Sequence, residues 1–208
     1  MVRIKICGLT TPQDAAKAIE FGADALGFNF FPGSKRCVSI EAAADWIARL
    51  PDGIEKIAIL VNPTSAIARS IAGLPGITAL QLHGSETAQF CRDLKEEGIR
   101  FEKAFPATDP LLATAGQFFT DTVLLDSCSP GQFGGSGQSF DWKIARQFVS
   151  DHPELRVVLA GGLTPENVTQ AIALVRPFGV DVTSGVVSAA GRKDFGRLRA
   201  FISAARGN

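Results

Sequence analysis

Eight short runs rich in Val, Ile, Leu and Phe alternate along this chain with eight longer, Ala-rich segments whose apolar residues recur at helical spacing. The runs, read as strands, are Arg3 to Cys7, Ala25 to Phe28, Lys56 to Val61, Ala79 to Leu82, Phe101 to Ala104, Thr122 to Asp126, Arg156 to Ala160 and Gly179 to Val182. The segments between and after them, read as helices, are Pro12 to Phe21, Ile40 to Leu50, Thr64 to Ala72, Ser85 to Glu97, Pro110 to Phe118, Asp141 to Ser150, Pro165 to Val175 and Phe195 to Ala205. Capping residues or first-turn prolines stand where these helices should begin, at Thr11-Pro12, Asn62-Pro63-Thr64, Ser85-x-x-Ala88, Asp109-Pro110 and Thr164-Pro165-Glu166, and Gly22 and Gly98 stand where two should stop. Near-continuous apolar strands such as Thr122-Val123-Leu124-Leu125 indicate a parallel sheet covered by helices on its faces.

Eight βα units suggest closure into a (β/α)8 barrel, a fold that takes about 250 residues and has a floor near 200. The 208 residues here are therefore expected to form one minimal α/β barrel domain over 1–208, with short loops. An open doubly wound sheet would call for a G-x-G-x-x-G turn after the first strand, and Cys7-Gly8-Leu9-Thr10-Thr11-Pro12 does not supply one. Charge narrows the partner: 21 Lys plus Arg against 21 Asp plus Glu, with no like-charge run, lacks the footprint of a nucleic-acid or anionic-membrane binder, and no apolar stretch approaches a membrane span. A small molecule is the expected partner. Cys7, Cys37, Cys91 and Cys128 form no C-x-x-C pair, and the start of the chain reads as neither a signal nor a transit peptide, so a reducing, cytoplasmic setting is expected. With two histidines a three-histidine metal site cannot be built, and no metal is expected.

In such a barrel the chemistry sits at the C-terminal ends of the strands. Gly161-Gly162 and Ser184-Gly185 close the last two runs, where backbone N–H groups can approach a phosphate; taken singly, each glycine can equally be a tight turn. Cys7 ends the first run and is either a base or nucleophile, if nearby positive potential lowers its thiol, or a small apolar filler. Asp126 ends the sixth apolar run, where desolvation could let it act as an acid; ordinary loop capping is the alternative. Arg36 can clamp a carboxylate or stand solvated, as Lys35 beside it is expected to do. His83 can titrate or simply join neighbouring loops, and Asp181 can bind a sugar hydroxyl or hold a loop amide. The other three cysteines read as filler, and Phe133-Gly134-Gly135-Ser136-Gly137-Gln138 reads as a lid or a plain glycine linker.

Taken together, Lys5-Ile6-Cys7-Gly8-Leu9-Thr10, Ala25-Leu26-Gly27-Phe28 through Ser34-Lys35-Arg36, Gln81-Leu82-His83-Gly84, Leu124-Leu125-Asp126, Gly134-Gly135-Ser136-Gly137 with Phe140-Asp141-Trp142, Leu159-Ala160-Gly161-Gly162-Leu163 and Phe178-Gly179-Val180-Asp181 resemble the phosphoribosylanthranilate isomerases of tryptophan biosynthesis, in order and over essentially the whole chain. The resemblance implies a cofactor-free Amadori rearrangement of N-(5-phosphoribosyl)anthranilate to 1-(2-carboxyphenylamino)-1-deoxyribulose 5-phosphate. It implies Asp126 as the acid that opens the ring, Cys7 as the base, and Arg36 on the anthranilate carboxylate. The chain departs from the family pattern at Val187, where Glu is usual, at Ala190 for a common proline, and at Ser136 and Gln138 for Thr and Lys. Other phosphosugar barrels, such as a ribulose-phosphate epimerase or a thiamine-phosphate synthase, would need metal ligands or a diphosphate set not found at the strand ends. A catalytically dead phosphosugar-binding barrel is the reading of a different class, opposed by retention of both Cys7 and Asp126. Monomer and homodimer both remain open.

Overall fold

The computed structural model describes residues 1–127, 140–188 and 192–207. Strands β1 (Arg3–Ile6), β2 (Ala25–Asn29), β3 (Glu55–Leu60), β4 (Ala79–Leu82), β5 (Phe101–Pro106), β6 (Thr122–Asp126), β7 (Arg156–Leu159) and β8 (Gly179–Val182) lie parallel in chain order, and β8 pairs back onto β1 to close the barrel. The seam sets Lys5 opposite both Ala25 and Asp181. Helices α1 (Pro12–Phe21), α2 (Ile40–Ala48), α3 (Ser65–Ala72), α4 (Ala88–Glu96), α5 (Trp142–Asp151), α6 (Val168–Val175) and α7 (Phe195–Arg206) supply the outer layer.

The fifth connection is helical but differs in kind: Pro110–Phe118 winds as a 3-10 helix broken at Thr114. There the Thr114 hydroxyl donates to the Leu111 carbonyl at 2.8 Å, the local competition with the backbone that makes Thr a poor helix-interior residue. Two helix starts also differ from expectation. Thr87, not Ser85, caps α4, its hydroxyl accepting from the Phe90 amide at 3.1 Å, while the Ser85 amide turns away to Asn62 Oδ1 at 2.7 Å. Thr164-Pro165-Glu166 is a turn before α6, tied by the Thr164 amide to Asn167 Oδ1 at 2.8 Å and by Asn167 Nδ2 to the Gly162 carbonyl at 2.9 Å.

Strand side chains alternate between two faces. The outward set, including Ile4, Ile6, Leu26, Phe28, Leu80, Leu82, Val180 and Val182, joins the buried faces of the helices in one large apolar cluster. Phe28 meets Trp46 of α2 edge to face at 5.4 Å between ring centroids; burying a side chain of that size contributes roughly 1.5–3 kcal/mol. Inside the barrel the apolar set is small: Ala104, Leu124, Val158 and Ala160 form one cluster, and Ile57 and Ile59 of β3 alternate with the outward-facing Ala58 and Leu60. The rest of the interior corrects the expectation of near-continuous apolar strands, because Lys5, Gln81, Glu102 and Asp181 are all buried. At the N-terminal end Arg3 plugs the barrel by pairing with Glu55 and, at 2.8 Å, with Glu102.

Candidate active site

The C-terminal mouth of the barrel encloses a cavity of about 380 Å³, a volume suited to a small ligand. Alternation along each strand decides what faces it. On β1, Lys5 points inward and Cys7 follows two residues later at the rim; Gln81 and His83 repeat the step on β4, Asp181 and Thr183 on β8, and Asp126 closes β6. Cys7, Arg36, His83, Asp126, Asp181, Gly161, Gly162 and Ser184 all border this one cavity.

The Cys7 amide donates to the Val182 carbonyl at 2.9 Å, fixing the thiol at the seam. Gly27 on the neighbouring strand makes room for it, since a Cβ there would lie 2.9 Å from Cys7 Sγ. Burial pushes the Cys7 thiol up from its ordinary value, and the Asp181 carboxylate adds to this; the ammonium groups of Lys5 and Lys193 and a hydrogen bond with Thr183 oppose it without reversing it. The positive potential expected around this cysteine is therefore present and is outweighed by desolvation.

Lys193 is a site residue that sequence reading did not find. Its Nζ donates to the Cys7 carbonyl at 2.6 Å and to Thr183 O at 3.2 Å, bridging the ends of β1 and β8. Burial, with Arg36 as a like-charge neighbour and against the pull of Cys7, Asp181 and Asp14, brings its ammonium down to about 8. Its only sequence signal was a cation shortly after Ser184-Gly185, and loop cations are usually solvated.

Asp126 is buried: the Ser127 amide donates to its Oδ1 at 2.7 Å, and His83 Nε2 stands 3.3 Å from its Oδ2. Behind His83 lies Gln81, whose Nε2 is 2.9 Å from His83 Nδ1. Gln81 Oε1 accepts from Lys5 Nζ, which also donates to Asp181 Oδ2 at 3.0 Å. Burial pulls the fully enclosed Lys5 ammonium down, but Asp181, Cys7 and Glu102 outweigh that and raise it overall. Asp181 Oδ1 is buried and has no hydrogen-bond partner among the described residues.

Arg36 crosses over Gly8, where a Cβ would lie 2.6 Å from Arg36 Cδ and where φ is +70°. Lys35 is exposed at the rim. Gly161 and Gly162 turn the chain through left-handed backbone, φ 81° and 64°, and border the cavity together with Ser184, the first residue of a short 3-10 turn, Ser184–Val186. Gly185 does not itself border the cavity; a Cβ there would lie 1.9 Å from the Leu163 carbonyl, so this glycine lets the loops after β7 and β8 touch. Cys91 is a fully buried filler, raised to about 12 by burial, and Cys37 is half-buried. Cys128, the segment 133–138 with Ser136 and Gln138, and Ala190 lie outside the described residues. Among the described residues no three His, Cys, Asp or Glu side chains gather as a metal-ion set, and no helix is long and apolar enough to cross a membrane.

Residues 4–204 match the family model of N-(5'-phosphoribosyl)anthranilate (PRA) isomerase. The N-(5'-phosphoribosyl)anthranilate isomerase of Trichlorobacter lovleyi is 43% identical over 207 residues, 99% of this chain and 98% of that protein. The crystal structure of the phosphoribosyl anthranilate isomerase from Thermotoga maritima superposes with a TM-score of 0.88 at 37% identity, covering 100% of both chains. A phosphoribosyl anthranilate isomerase in complex with reduced 1-(o-carboxyphenylamino)-1-deoxyribulose 5-phosphate gives 0.84 at 38% identity, again over 100% of both chains.

Proposed function

Because this chain belongs to the phosphoribosylanthranilate isomerase family of tryptophan biosynthesis, we propose that it converts N-(5-phosphoribosyl)anthranilate to 1-(2-carboxyphenylamino)-1-deoxyribulose 5-phosphate, with Asp126 as acid and Cys7 as base. The observation that carries this is the placement of Cys7 and Asp126 at the C-terminal ends of β1 and β6, bordering one cavity together with Arg36, Gly161, Gly162 and Ser184.

In the proposed sequence Asp126 gives its proton to the ribose ring oxygen. The bond from that oxygen to the first sugar carbon breaks, and the anthranilate nitrogen lone pair forms the Schiff base. The Cys7 thiolate then takes the proton from the second carbon, and the released electron pair becomes the carbon–carbon double bond of an enolamine. Tautomerisation yields the ketone. The substrate is neither oxidised nor reduced overall, so the proton donor and acceptor account for the chemistry, each worth about 10²–10⁴-fold. Arg36 holds the anthranilate carboxylate through paired hydrogen bonds. Asp181 Oδ1, buried and unpartnered among the described residues, accepts from a sugar hydroxyl. The backbone N–H groups of Gly161, Gly162 and Ser184 take the phosphate, and Gly185 lets the loops that carry them meet.

Loss of anthranilate fluorescence on mixing with freshly made phosphoribosylanthranilate tests the activity. Steady turnover, inhibited competitively by inorganic phosphate, is the expected result. Binding without turnover would make the protein a phosphosugar-binding barrel instead.

A further inference from the structure

Four buried or half-buried polar side chains form one continuous hydrogen-bonded line across the barrel interior, Asp181, Lys5, Gln81 and His83, and at its end His83 Nε2 stands 3.3 Å from Asp126 Oδ2. The direction of each bond in that line follows from donor and acceptor chemistry alone. A lysine ammonium has three N–H donors and no lone pair, so the Gln81 atom facing Lys5 must be the amide oxygen. The other end of the Gln81 amide, the NH2 group, then points at His83 Nδ1. A donor facing Nδ1 requires a lone pair there, which puts the single ring proton on Nε2, and Nε2 is the nitrogen facing Asp126 Oδ2 at 3.3 Å. Turning the Gln81 amide over would set its NH2 against the Lys5 ammonium, donor to donor in a buried site, so the orientation is locked.

We propose that Gln81, oriented by Lys5, is a positioning residue that holds His83 as the neutral tautomer protonated on Nε2, an anchor for the Asp126 carboxyl and not a proton carrier. The functional consequence rests on the reading of Asp126 as the acid. An imidazolium 3.3 Å from Asp126 would favour its ionised form, whereas a neutral imidazole holds the carboxyl in place and still allows it to carry the proton it must deliver. The neighbouring ion pair, Lys103 Nζ to Glu86 Oε2 at 3.0 Å, fixes the Gly84 carbonyl and amide beside His83 and is internally neutral, so it adds no net charge to the imidazole. Lys5 in turn is matched by Asp181.

The test is ¹⁵N NMR of the imidazole nitrogens near neutral pH. The chain has two histidines, so a His152→Asn variant leaves His83 as the sole signal. The expected spectrum has Nε2 protonated and Nδ1 bare; a protonated Nδ1 would overturn the proposal without any change at Gln81. In Gln81→Glu, one carboxylate oxygen still accepts from Lys5 while the other offers Nδ1 an acceptor, so Nδ1 should become protonated, and a ring spectrum unchanged from the wild type would also overturn the lock. The same variant should lose about 10²-fold in kcat, the low end for a general acid, with a smaller change in KM. A changed ring spectrum with unaltered kcat would support the lock and count against Asp126 as the acid. If Gln81→Glu fails to fold, the spectrum of His152→Asn still decides.

Discussion

At the scale of single residues, the thiol of Cys7 sits in a field that cuts both ways. Burial holds it up, and Lys5 and Lys193 draw it down. Because the net direction is upward from 9.0, the thiolate fraction is still rising at that pH, and the rate of Cys7 alkylation by iodoacetamide, followed peptide by peptide in a mass spectrometer, should keep climbing beyond it. Lys193→Met removes one of the two opposing cations, so alkylation of Cys7 should slow at every pH below that point. A rate that levels off near neutrality, or a variant that reacts faster, would contradict this balance. The strand-terminal residues Cys7, His83 and Asp126 were legible in the sequence because each ends a β-run. Lys5 and Gln81 were not singled out, although each stands two residues before a strand-end candidate and so shares its face. Reading the strands as apolar throughout hid them, and only the closed barrel shows that residues from β1, β4 and β8 meet at its axis.

At the scale of elements, two close approaches between loops shape the cavity. The contact at Gly185 leaves no space for a Cβ 1.9 Å from the Leu163 carbonyl, so Gly185→Ala must push the loops after β7 and β8 apart. We expect a stability loss of about 1–3 kcal/mol, typical of overpacking, together with weakened phosphate inhibition. Unchanged phosphate inhibition in the folded variant would remove these loops from the anion site. Arg36 makes a separate claim: Arg36→Met should raise KM and lower kcat/KM for the carboxylate-bearing substrate, while an analogue lacking the carboxylate should be turned over equally by both proteins. Helix existence and order were readable from periodicity, but starts at α4 and α6 were not, because Ser85 and Thr164 look like caps and are engaged elsewhere by Asn62 and Asn167. Pro110–Phe118 was readable as a helix with these bounds but not as a 3-10 helix, because over nine residues the apolar pattern does not separate the two windings.

Over the whole molecule the two ends of the barrel divide the work. The N-terminal end is built for stability: Arg3 neutralises Glu102 in the closed interior, and Arg206 at the end of α7 ties the chain's last helix to the Val2 carbonyl at 2.8 Å and to Asp24. Replacing Arg3 by Met leaves Glu102 as a buried charge without its partner, which should cost about 3–5 kcal/mol by denaturant unfolding, while kcat per folded molecule stays near the wild-type value. A large fall in kcat with little loss of stability would mean that the two faces are not separable. The C-terminal end carries the chemistry, and its most direct test is kcat for Cys7→Ala and for Asp126→Asn on freshly made phosphoribosylanthranilate, with the fold verified by circular dichroism. Proton transfer by this pair predicts that each variant loses at least about 10²-fold while remaining folded; near-normal kcat in either one would contradict it.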